Sequence, residues 1–585
     1  MKWFYGCFSL GGNIDEINIF QKYSEYYNIP FDGIEKKIER KYLYYIEINT
    51  HGTQILTYEH EDFIILGDIH LHDNSAIGGK DIALYIINLY KMYGAELANH
   101  LYGYFSLILI DKKKYKINLI RDQFGIQQLF YHIKERTIYF ANYLFLLDGC
   151  YIKNKISKRF LEKFYEYNGL CLFSETPYKD IYRVKAAESI FIDSILGTSQ
   201  SSIYWSLSKS KSINDLSFEE AQNEIRNILE NHIQNEVLEY SHCGISLSGG
   251  LDSSILFSLL SKKNICAFSA VFDKLKSCDE RVYIEELKKK SSKIRYVKAD
   301  DCGLLEGYPE SYFYTSEPHI NVLNKSLSEV LFTEIKENGL KYVIDGFFSD
   351  HIFTGNIIYI IDELKKGKLI KSFNEIKYYG LATNQNFWEV IKNYIIPSMV
   401  NRENIPGIDE KIIKSSKNEL ASIRKYNGKD ILVQISSAIA RNFGDHELAP
   451  RYGIECIHPF VNRRLVELLY VLPGEYRMKN GIPKYILREA YKQELPESIR
   501  VRVNKTQHVE LSQSGLRKNW GNIYETLRHS FLSELNLFEL DKDKWLHMLQ
   551  KFRSGVIFND EIFIFMALEI WMYKLKKEFG NIMFF

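Results

Sequence analysis

Short runs of alternating apolar and polar residues dominate residues 1–205, whereas apolar positions at helical spacing dominate the rest of the chain. Strands are predicted at residues 42–48, 63–66, 105–110, 116–120 and 137–140, with one clear helical stretch at 81–93. Strands with two distinct faces and few helices favour sheets packed face to face. A polar segment at residues 197–202 and 206–214 separates this part from the next.

Helices are predicted over most of residues 215–585, interrupted by strand-like runs at 267–272 and 341–344. That pattern fits a parallel sheet with crossover helices, followed by a largely helical C-terminal portion. A chain of 585 residues is long enough for two or more domains. We therefore predict one domain at 1–205 and a second at 215–585. The apolar stretch 562–568 is short and precedes Glu569, which indicates a buried helix and no membrane span.

The most specific polar string is Ser-Leu-Ser-Gly-Gly-Leu-Asp-Ser-Ser at residues 246–254, between a predicted strand and a helix that begins near Ser253. Gly249 and Gly250 allow positive φ and a close approach of ligand to backbone. A strand, a glycine turn and a helix N-terminus together form a cradle of N–H groups for an anion. The helix dipole supplies only about half a charge, so a bound triphosphate also needs cations. Asp252 is suited to holding Mg²⁺.

This loop lacks the Gly-Lys-Ser/Thr ending of a Walker A sequence. It resembles the pyrophosphate-binding loop of the N-type ATP pyrophosphatases, which include asparagine synthetase, GMP synthetase and argininosuccinate synthetase. The resemblance implies cleavage of ATP between the α- and β-phosphates and activation of a substrate as an adenylate. A functionless Gly-Gly turn would not need the complete Ser-Gly-Gly-x-Asp-Ser string.

Composition excludes several other classes of protein. Hydrophobic residues make up 46% and charged residues 25% of the chain, and the net charge of +1 provides no field that would attract nucleic acid or a membrane surface. The eight cysteines are scattered without a Cys-x-x-Cys pair, so we expect neither a zinc site nor a disulfide scaffold. The N-terminal residues lack the long apolar core of a signal peptide. A cytoplasmic location is expected, which matches the need for ATP.

Further strings, in order along nearly the whole chain, resemble asparagine synthetase. Residues 67–71, 101–105, 121–126 and 129–131 look like its glutamine amidotransferase-like domain, and 181–184 with 204–205 look like its domain junction. Residues 345–350 resemble a second Gly-x-Gly-Ser-Asp motif, and 458–462 and 484–490 resemble two later motifs. The resemblance implies an α+β, Ntn-hydrolase-like αββα sandwich. It also implies an α/β ATP-pyrophosphatase domain, adenine nucleotide α-hydrolase-like, with helical additions.

The N-terminal residues depart from that family. A glutamine-hydrolysing (class B) asparagine synthetase uses a cysteine immediately after Met1, whereas position 2 here is Lys2, a large residue that should also block removal of Met1. Cys7 lies inside the chain and is predicted to be a small core residue beside Phe8. We therefore predict an N-terminal domain without glutaminase activity.

The resemblance carries site residues to this chain. Asp252 and Asp350 would hold Mg²⁺ on the triphosphate, and Lys484 would stabilise the adenylation and amide-forming transition states as a point charge. If these two residues have no catalytic role, Asp350 is expected to be a helix N-cap and Lys484 a solvated surface residue. The predicted nucleotide-binding residues are Leu247, Ser248, Gly249, Gly250, Asp252, Ser253, Ser254, Val271, Asp345 and Gly346.

Several positions leave the mechanism incomplete. Phe347 stands where asparagine synthetase has an acid and β-lactam synthetase a tyrosine, so no general base is assigned. Asn462 replaces a common aspartate, and Glu317 is either a substrate-pocket residue or part of an ordinary loop. His70 and His72 share a strand face, but without a third ligand at hand they are predicted to be structural.

A synthetase without its ammonia supply must use an amine already present in its substrate. β-Lactam synthetase, carbapenam synthetase and lasso peptide cyclase do this, and the chain looks most like the last, which closes a macrolactam ring in a precursor peptide. The abundance of Lys, Ile, Asn and Tyr hints at an AT-rich genome, unlike the high-GC hosts of the other two. Such a cyclase would work with a leader peptidase and a leader-binding protein. The alternatives are an ammonia-dependent asparagine synthetase, a β-lactam synthetase and a non-catalytic scaffold.

Overall fold

The architecture is that of a computed structural model. It describes residues 2–9, 34–40, 43–49, 55–59, 61–72, 82–134, 137–147, 155–171, 173–207, 216–235, 237, 240, 242–263, 265–289, 293–400, 426–439, 443–504, 506, 508–534, 542–555, 560–580 and 583–584. The predicted helix start at Asp81 and the domain start at residue 215 lie outside the described residues.

Strands build most of the N-terminal part, and the strands of its two six-stranded sheets pair antiparallel. The strands of this part are β1 (Lys2–Ser9), β2 (Ile34–Arg40), β3 (Leu43–Asn49), β4 (Leu56–Glu59), β5 (Phe63–Leu71), β6 (Gly103–Asp111), β7 (Lys116–Arg121), β8 (Phe130–Lys134), β9 (Thr137–Ala141), β10 (Lys155–Ile156), β11 (Ile181–Arg183), β12 (Glu188–Asp193) and β13 (Thr198–Ile203). One six-stranded sheet has the order β11-β8-β9-β1-β3-β2, and the other has the order β13-β12-β7-β6-β5-β4.

Alternation along the strands decides which face meets which layer. In β1, Phe4 and Phe8 pack between the two sheets, whereas Cys7 faces outward into the core that contains helix Lys158–Glu166. In β5, Ile64 faces the other sheet, and Ile65 packs against helix Ile82–Tyr93. The layers therefore run helix, sheet, sheet, helix, and the predicted αββα sandwich is confirmed. The prediction of a buried Cys7 is also confirmed, since 1% of it is exposed.

Helices form most of the second part, as predicted. In the described chain the α-helices are Ile82–Tyr93, Lys158–Glu166, Phe218–Asn235, Leu251–Leu260, Arg281–Lys288, Lys325–Glu337, Ser349–Phe353, Ile360–Lys365, Leu369–Thr383, Phe387–Val390, Ile396–Val400, Tyr426–Ile439, Arg463–Val471, Gly474–Arg477, Tyr485–Ala490, Glu497–Arg500, Val509–Lys518, Trp520–Arg528, Phe531–Glu534, Lys542–Arg553 and Asp560–Phe579. The stretch 562–568 lies in the last of these and is mostly buried. No helix in the described ranges is both long and apolar enough to cross a membrane.

A five-stranded parallel sheet is the framework of the second part. Its strands are β14 (Cys243–Ser246), β15 (Cys266–Val271), β16 (Ile294–Lys298), β17 (Tyr342–Ile344) and β18 (Glu455–Ile457), and β19 (Met583–Phe584) pairs with β10 elsewhere. The order is β16-β15-β14-β17-β18. After β14 the chain moves outward on one side and then crosses over to continue with β17 and β18. Such a switch point opens a crevice at the carboxyl ends of β14 and β17, where open α/β sheets bind ligands.

Contacts between the two parts place the sandwich against this crevice. The hydroxyl of Tyr104 donates to the backbone oxygens of His458 at 3.0 Å and Val461 at 2.6 Å. The ring of Phe124 lies 5.3 Å, centroid to centroid, from the ring of Phe348. The N-terminal part is thus a packing surface for the loops that follow β17 and β18.

A buried ion pair also crosses this boundary. Arg183 of β11 donates to the carboxylate of Glu317, and both side chains are about 94% buried. Glu317 is not among the residues that line the cavity after β14 and β17, and whether it belongs to a substrate pocket or to an ordinary loop stays open. Burial alone would lower the pKa of Arg183, but the Glu317 carboxylate raises it above its usual value.

We expect Arg183→Leu to lower the free energy of unfolding by about 3–5 kcal/mol, because it leaves a carboxylate buried without its partner. The double variant Arg183→Leu/Glu317→Leu should recover much of that loss. Urea denaturation followed by tryptophan fluorescence measures both. Lys113→Leu, which removes an exposed pair with Asp62, is the control and should leave the midpoint unchanged. Additive losses in the double variant would show that the pair is not coupled.

Candidate active site

The loop after β14 is held open by its own hydroxyl groups. Ser248 donates its backbone N–H to Oγ of Ser253 at 3.2 Å, and Gly250 donates its N–H to Oγ of Ser248 at 3.3 Å. Gly249 has φ of 70°, a conformation that favours glycine. Ser254 donates to the Gly250 carbonyl at 2.6 Å. The helix Leu251–Leu260 begins two residues earlier than predicted, so its first turn borders the loop directly.

The loop after β17 comes into close contact with this helix. A Cβ on Gly346 would lie 2.9 Å from Cβ of Asp252, so only glycine fits there. Phe348 adopts φ of 77° and precedes helix Ser349–Phe353. Ser349 then donates its hydroxyl to Oδ1 of Asp252 at 2.6 Å. The two motifs separated by about a hundred residues therefore form one continuous surface.

Lys484 joins these loops from the other side. It is 6% exposed, adopts φ of 55° and immediately precedes helix Tyr485–Ala490. Its Nζ lies 2.5 Å from Oδ2 of Asp252 and 2.6 Å from Oδ1 of Asp350. A left-handed, buried lysine costs free energy, and such outliers cluster at functional sites. The reading of Lys484 as a solvated surface residue is wrong.

Asp350 is not a helix cap. It lies in the first turn of Ser349–Phe353, whose preceding residue is Phe348, and its side chain is 48% exposed beside Lys484. Asp252 and Asp350 therefore converge on a single positive charge. Mg²⁺ is commonly bound by one or two carboxylates together with substrate phosphates, so this donor pair fits such an ion. Among the residues that the structure describes, no set of three or more His, Cys, Asp or Glu side chains is arranged as a metal site.

A cavity of about 510 Å³ lies where these loops meet, a volume typical of sites for small ligands. Of the residues predicted to bind nucleotide, metal or substrate, those that line it are Ser248, Gly250, Asp252, Ser253, Asp345, Gly346, Asp350 and Lys484. Leu247, Gly249, Ser254 and Val271 do not line it, and all four are buried. Gly249 and Ser254 shape the loop instead.

Two arginines add positive charge to the cavity wall. Arg488 donates to the backbone oxygens of Pro483 at 2.8 Å and Arg500 at 2.5 Å, which ties down the turn that carries Lys484. Arg502 was not predicted from the sequence. Its Nη2 donates to Glu280 at 2.6 Å, its guanidinium lies 4.0 Å from the centroid of the Tyr283 ring, and its buried Nη1 has no partner among the described residues. No motif marks Arg502, because its neighbours in the cavity come from distant parts of the chain.

Beneath Phe347 lies a histidine between two carboxylates. His458 Nδ1 is 2.7 Å from Oδ1 of Asp345, and Nε2 is 2.5 Å from Oδ2 of Asp445. Burial lowers the pKa of His458, but the two carboxylates raise it well above its usual value overall. The ring of Phe347 lies 4.9 Å from the His458 ring, centroid to centroid. Phe347 thus lines the cavity, and the His458 ring lies behind it between its two carboxylates.

Two other sequence features have structural partners. Asn462 accepts the N–H of Leu465 at 3.2 Å and caps helix Arg463–Val471, a role that an aspartate would fill equally well. His70 lies 3.1 Å from Asp68 and 2.9 Å from the Tyr240 hydroxyl. His72 is half-buried beside Tyr104, and the loss of solvent around its ring lowers its pKa well below the usual value.

Gly346→Ala tests the contact between the two loops. The added methyl group pushes Asp252 away from Lys484 and Ser349, and AMP release should fall by about tenfold or more. The measurement is steady-state release of AMP from ATP. Gly521→Ala, where a Cβ meets nothing within 4 Å, should be unaffected. Full activity in Gly346→Ala would mean that the spacing of the loops is not critical.

Arg502→Gln tests the unpartnered guanidinium nitrogen. A charge-assisted hydrogen bond is worth about 1.5–3 kcal/mol, so the apparent KM for ATP should rise about ten- to a hundredfold. The maximal rate should change little. Arg528→Gln, whose side chain is 62% exposed, is the matched control. A normal KM for ATP in Arg502→Gln would show that Arg502 does not bind the phosphates of ATP.

Known proteins of similar sequence include two fungal enzymes. The chain is 22% identical to amidase chry2 of Gibberella zeae over 482 residues, which covers 71% of this chain and 70% of that protein. It is 23% identical to amidase chyE of Penicillium rubens over 300 residues, covering 48% and 43%. A segment of 57 residues, 10% of this chain and 8% of the other, is 39% identical to glutamine-hydrolysing asparagine synthetase 2 of Bacillus subtilis.

Solved structures and family profiles complete the comparison. Glutamine phosphoribosylpyrophosphate amidotransferase from B. subtilis aligns with a TM-score of 0.23 and 9% identity, covering 59% of this chain and 90% of that one. The glutamine amidotransferase domain profile matches residues 80–205. The asparagine synthase profile matches residues 224–572, more than half of the chain, and includes every residue of the cavity described above. The chain therefore belongs to the asparagine synthase family.

Proposed function

We propose that this ATP-dependent, asparagine synthetase-like ligase adenylates a carboxylate of its substrate and joins it to an amine of the same substrate. The assigned reaction is macrolactam ring closure of a lasso peptide precursor. The observation that carries the proposal is the convergence of Asp252, Asp350 and Lys484 on one cavity beside the loop after β14. A cytoplasmic location would supply ATP.

The residues of the cavity suit both steps of the proposed reaction, which are adenylation of the carboxylate and attack of the amine on the adenylate. The Ser248 and Gly250 N–H groups are used within the loop, where they donate to its hydroxyls. The N-terminus of helix Leu251–Leu260, which has no side-chain cap, would face the departing pyrophosphate. Mg²⁺ held by Asp252 and Asp350 would neutralise phosphate charge. Lys484, which lies beside both carboxylates, would present its ammonium to the α-phosphate and then to the oxyanion of the tetrahedral intermediate. Amine and adenylate on one molecule gain effective concentration.

The N-terminal domain supports an internal amine over ammonia from glutamine. Cys7 lies in the middle of β1 with its nitrogen in a peptide bond and its thiol buried. It therefore has neither the free amine nor the accessible thiol that glutamine hydrolysis requires. A precursor peptide, with a leader peptidase and a leader-binding protein, is the proposed set of partners.

Ammonia-dependent asparagine synthesis and β-lactam synthesis use the same cavity chemistry and are the alternatives within the class. A scaffold without activity is the alternative outside it, and Phe347 is the residue that favours it. Amide hydrolysis, which the names of the fungal relatives suggest, would proceed without nucleotide. These alternatives differ in whether they consume ATP and in which amine, if any, they join to the carboxylate.

A synthetic linear peptide with a free N-terminal amine and an internal glutamate tests the proposal. With ATP and Mg²⁺ we expect peptide-dependent ATP–pyrophosphate exchange, AMP and not ADP, and a product that is lighter by one water molecule. The N-acetylated peptide should support exchange but give no ring, because its amine is blocked.

Other results would redirect or reject the assignment. Exchange with L-aspartate and amide formation only with added ammonium would indicate an asparagine synthetase. No exchange with any carboxylate would favour the scaffold. Product formation without ATP would indicate a hydrolase.

A further inference from the structure

The attacking amine enters the cavity protonated at neutral pH and must lose a proton before it forms an amide. Phe347, at the position of the family acid, cannot accept one. Asp252 and Asp350 are both engaged with Lys484. Asp345 is the remaining carboxylate that lines the cavity within the described residues.

Strand register places Asp345 beside His458. Ile344 at the end of β17 pairs with Ile457 at the end of β18, so the next residues along these parallel strands are neighbours. Oδ1 of Asp345 receives the N–H of Phe347 at 3.0 Å and lies 2.7 Å from His458 Nδ1. Oδ2 of Asp345 has no hydrogen bond to the described residues, and the side chain is 30% exposed. The carboxylate is therefore fixed through one oxygen and open through the other.

A second carboxylate holds the histidine in place. Asp445 binds Nε2, so both ring nitrogens face carboxylates and the ring is an imidazolium. Burial raises the pKa of Asp445, but His458 lowers it overall to about 2. Cys456 also lies near Asp345 and Asp445, and burial raises the pKa of its thiol, which stays neutral. The charged groups around Asp345 are His458, with Asp445 beyond it. The other charged residues that line the cavity are Asp252, Asp350, Lys484, Arg488 and Arg502.

We propose that Asp345 binds the substrate ammonium through Oδ2 and accepts its proton, with His458 and Asp445 as positioning residues. The inference rests on the proposed function, since it requires an amine that attacks an adenylate. One proton passes from nitrogen to Oδ2, and the freed lone pair forms the C–N bond. The C–O bond to AMP breaks with its electron pair on AMP. The second amine proton leaves the tetrahedral intermediate to solvent, and Asp345 then returns its proton to solvent.

Asp345→Asn separates amine handling from adenylation. With ATP, Mg²⁺ and the free-amine peptide, ring closure should fall about 10²- to 10⁴-fold, and ATP–pyrophosphate exchange should fall far less. Hydroxylamine is unprotonated at neutral pH, so trapping of the adenylate as a hydroxamate should persist. Residual ring closure in Asp345→Asn should rise about tenfold per pH unit below the amine pKa, because hydroxide must replace the carboxylate. The wild type should show a weaker dependence on pH.

His458→Gln should also lower ring closure more than ATP–pyrophosphate exchange. The loss of ring closure should be smaller than in Asp345→Asn, and its dependence on pH should change. His446→Gln, a neighbouring buried imidazole without contact to Asp345, should behave as wild type. Thermal unfolding and the exchange rate report whether each variant folds. If Asp345→Asn does not fold, His458→Gln provides the same comparison.

Two results would overturn the inference while leaving the proposed function intact. Parallel loss of exchange and ring closure in Asp345→Asn would assign Asp345 to the nucleotide. Unchanged ring closure in Asp345→Asn would show that the proton goes elsewhere. A wild type that gives no exchange with the peptide, nor with L-aspartate and ammonium, would reject the proposed function and the inference with it.

Discussion

The contact of the Lys484 ammonium with Asp252 and Asp350 is the interaction on which the site depends. It joins three segments that are far apart in the chain: the loop after β14, the loop after β17 and the turn before helix Tyr485–Ala490. Around it, Gly346 permits the close approach and Ser349 orients Asp252. A charged cluster of this kind is costly to bury unless each charge has its partner. Removing any one member therefore disturbs all three segments.

The N-terminal sandwich contributes to this site through packing. Phe124 contacts Phe348, whose strained backbone begins the helix of Asp350, and Tyr104 binds the backbone beyond β18. The N-terminal domain thus contributes to the geometry of the second domain through these contacts. The buried Arg183–Glu317 pair fixes the same boundary at another point. These contacts give the chain a structural reason to keep the whole sandwich that does not depend on glutamine hydrolysis.

Much of the fold and the central part of the site could be predicted from the sequence. Two-residue alternation identified the strands of the sandwich, and the ordered motifs brought Asp252, Asp350 and Lys484 together. The left-handed backbone of Lys484 could not be predicted, because no glycine marks it. The pairing of Asp345 with His458 depends on the register of β17 and β18, two strands separated by more than a hundred residues. Arg502 has no local signal at all, and Glu317 was ambiguous because a buried ion pair and a substrate-pocket acid look alike in sequence.

The sheet order has a consequence for how such enzymes diversify. The glycine loop follows β14, whereas Asp345 and Phe347 follow β17 and His458 follows β18, on the other side of the point where the strand order reverses. Asp350 also follows β17, so the position proposed to hold Mg²⁺ and the position proposed to accept the amine proton share one segment. On that assignment, substitution at Phe347 or Asp345 would change the nucleophile while Ser248–Ser254 stay the same. A lineage with this architecture would exchange its second substrate through single positions after β17, under the constraint that Asp350 keeps its place beside Lys484.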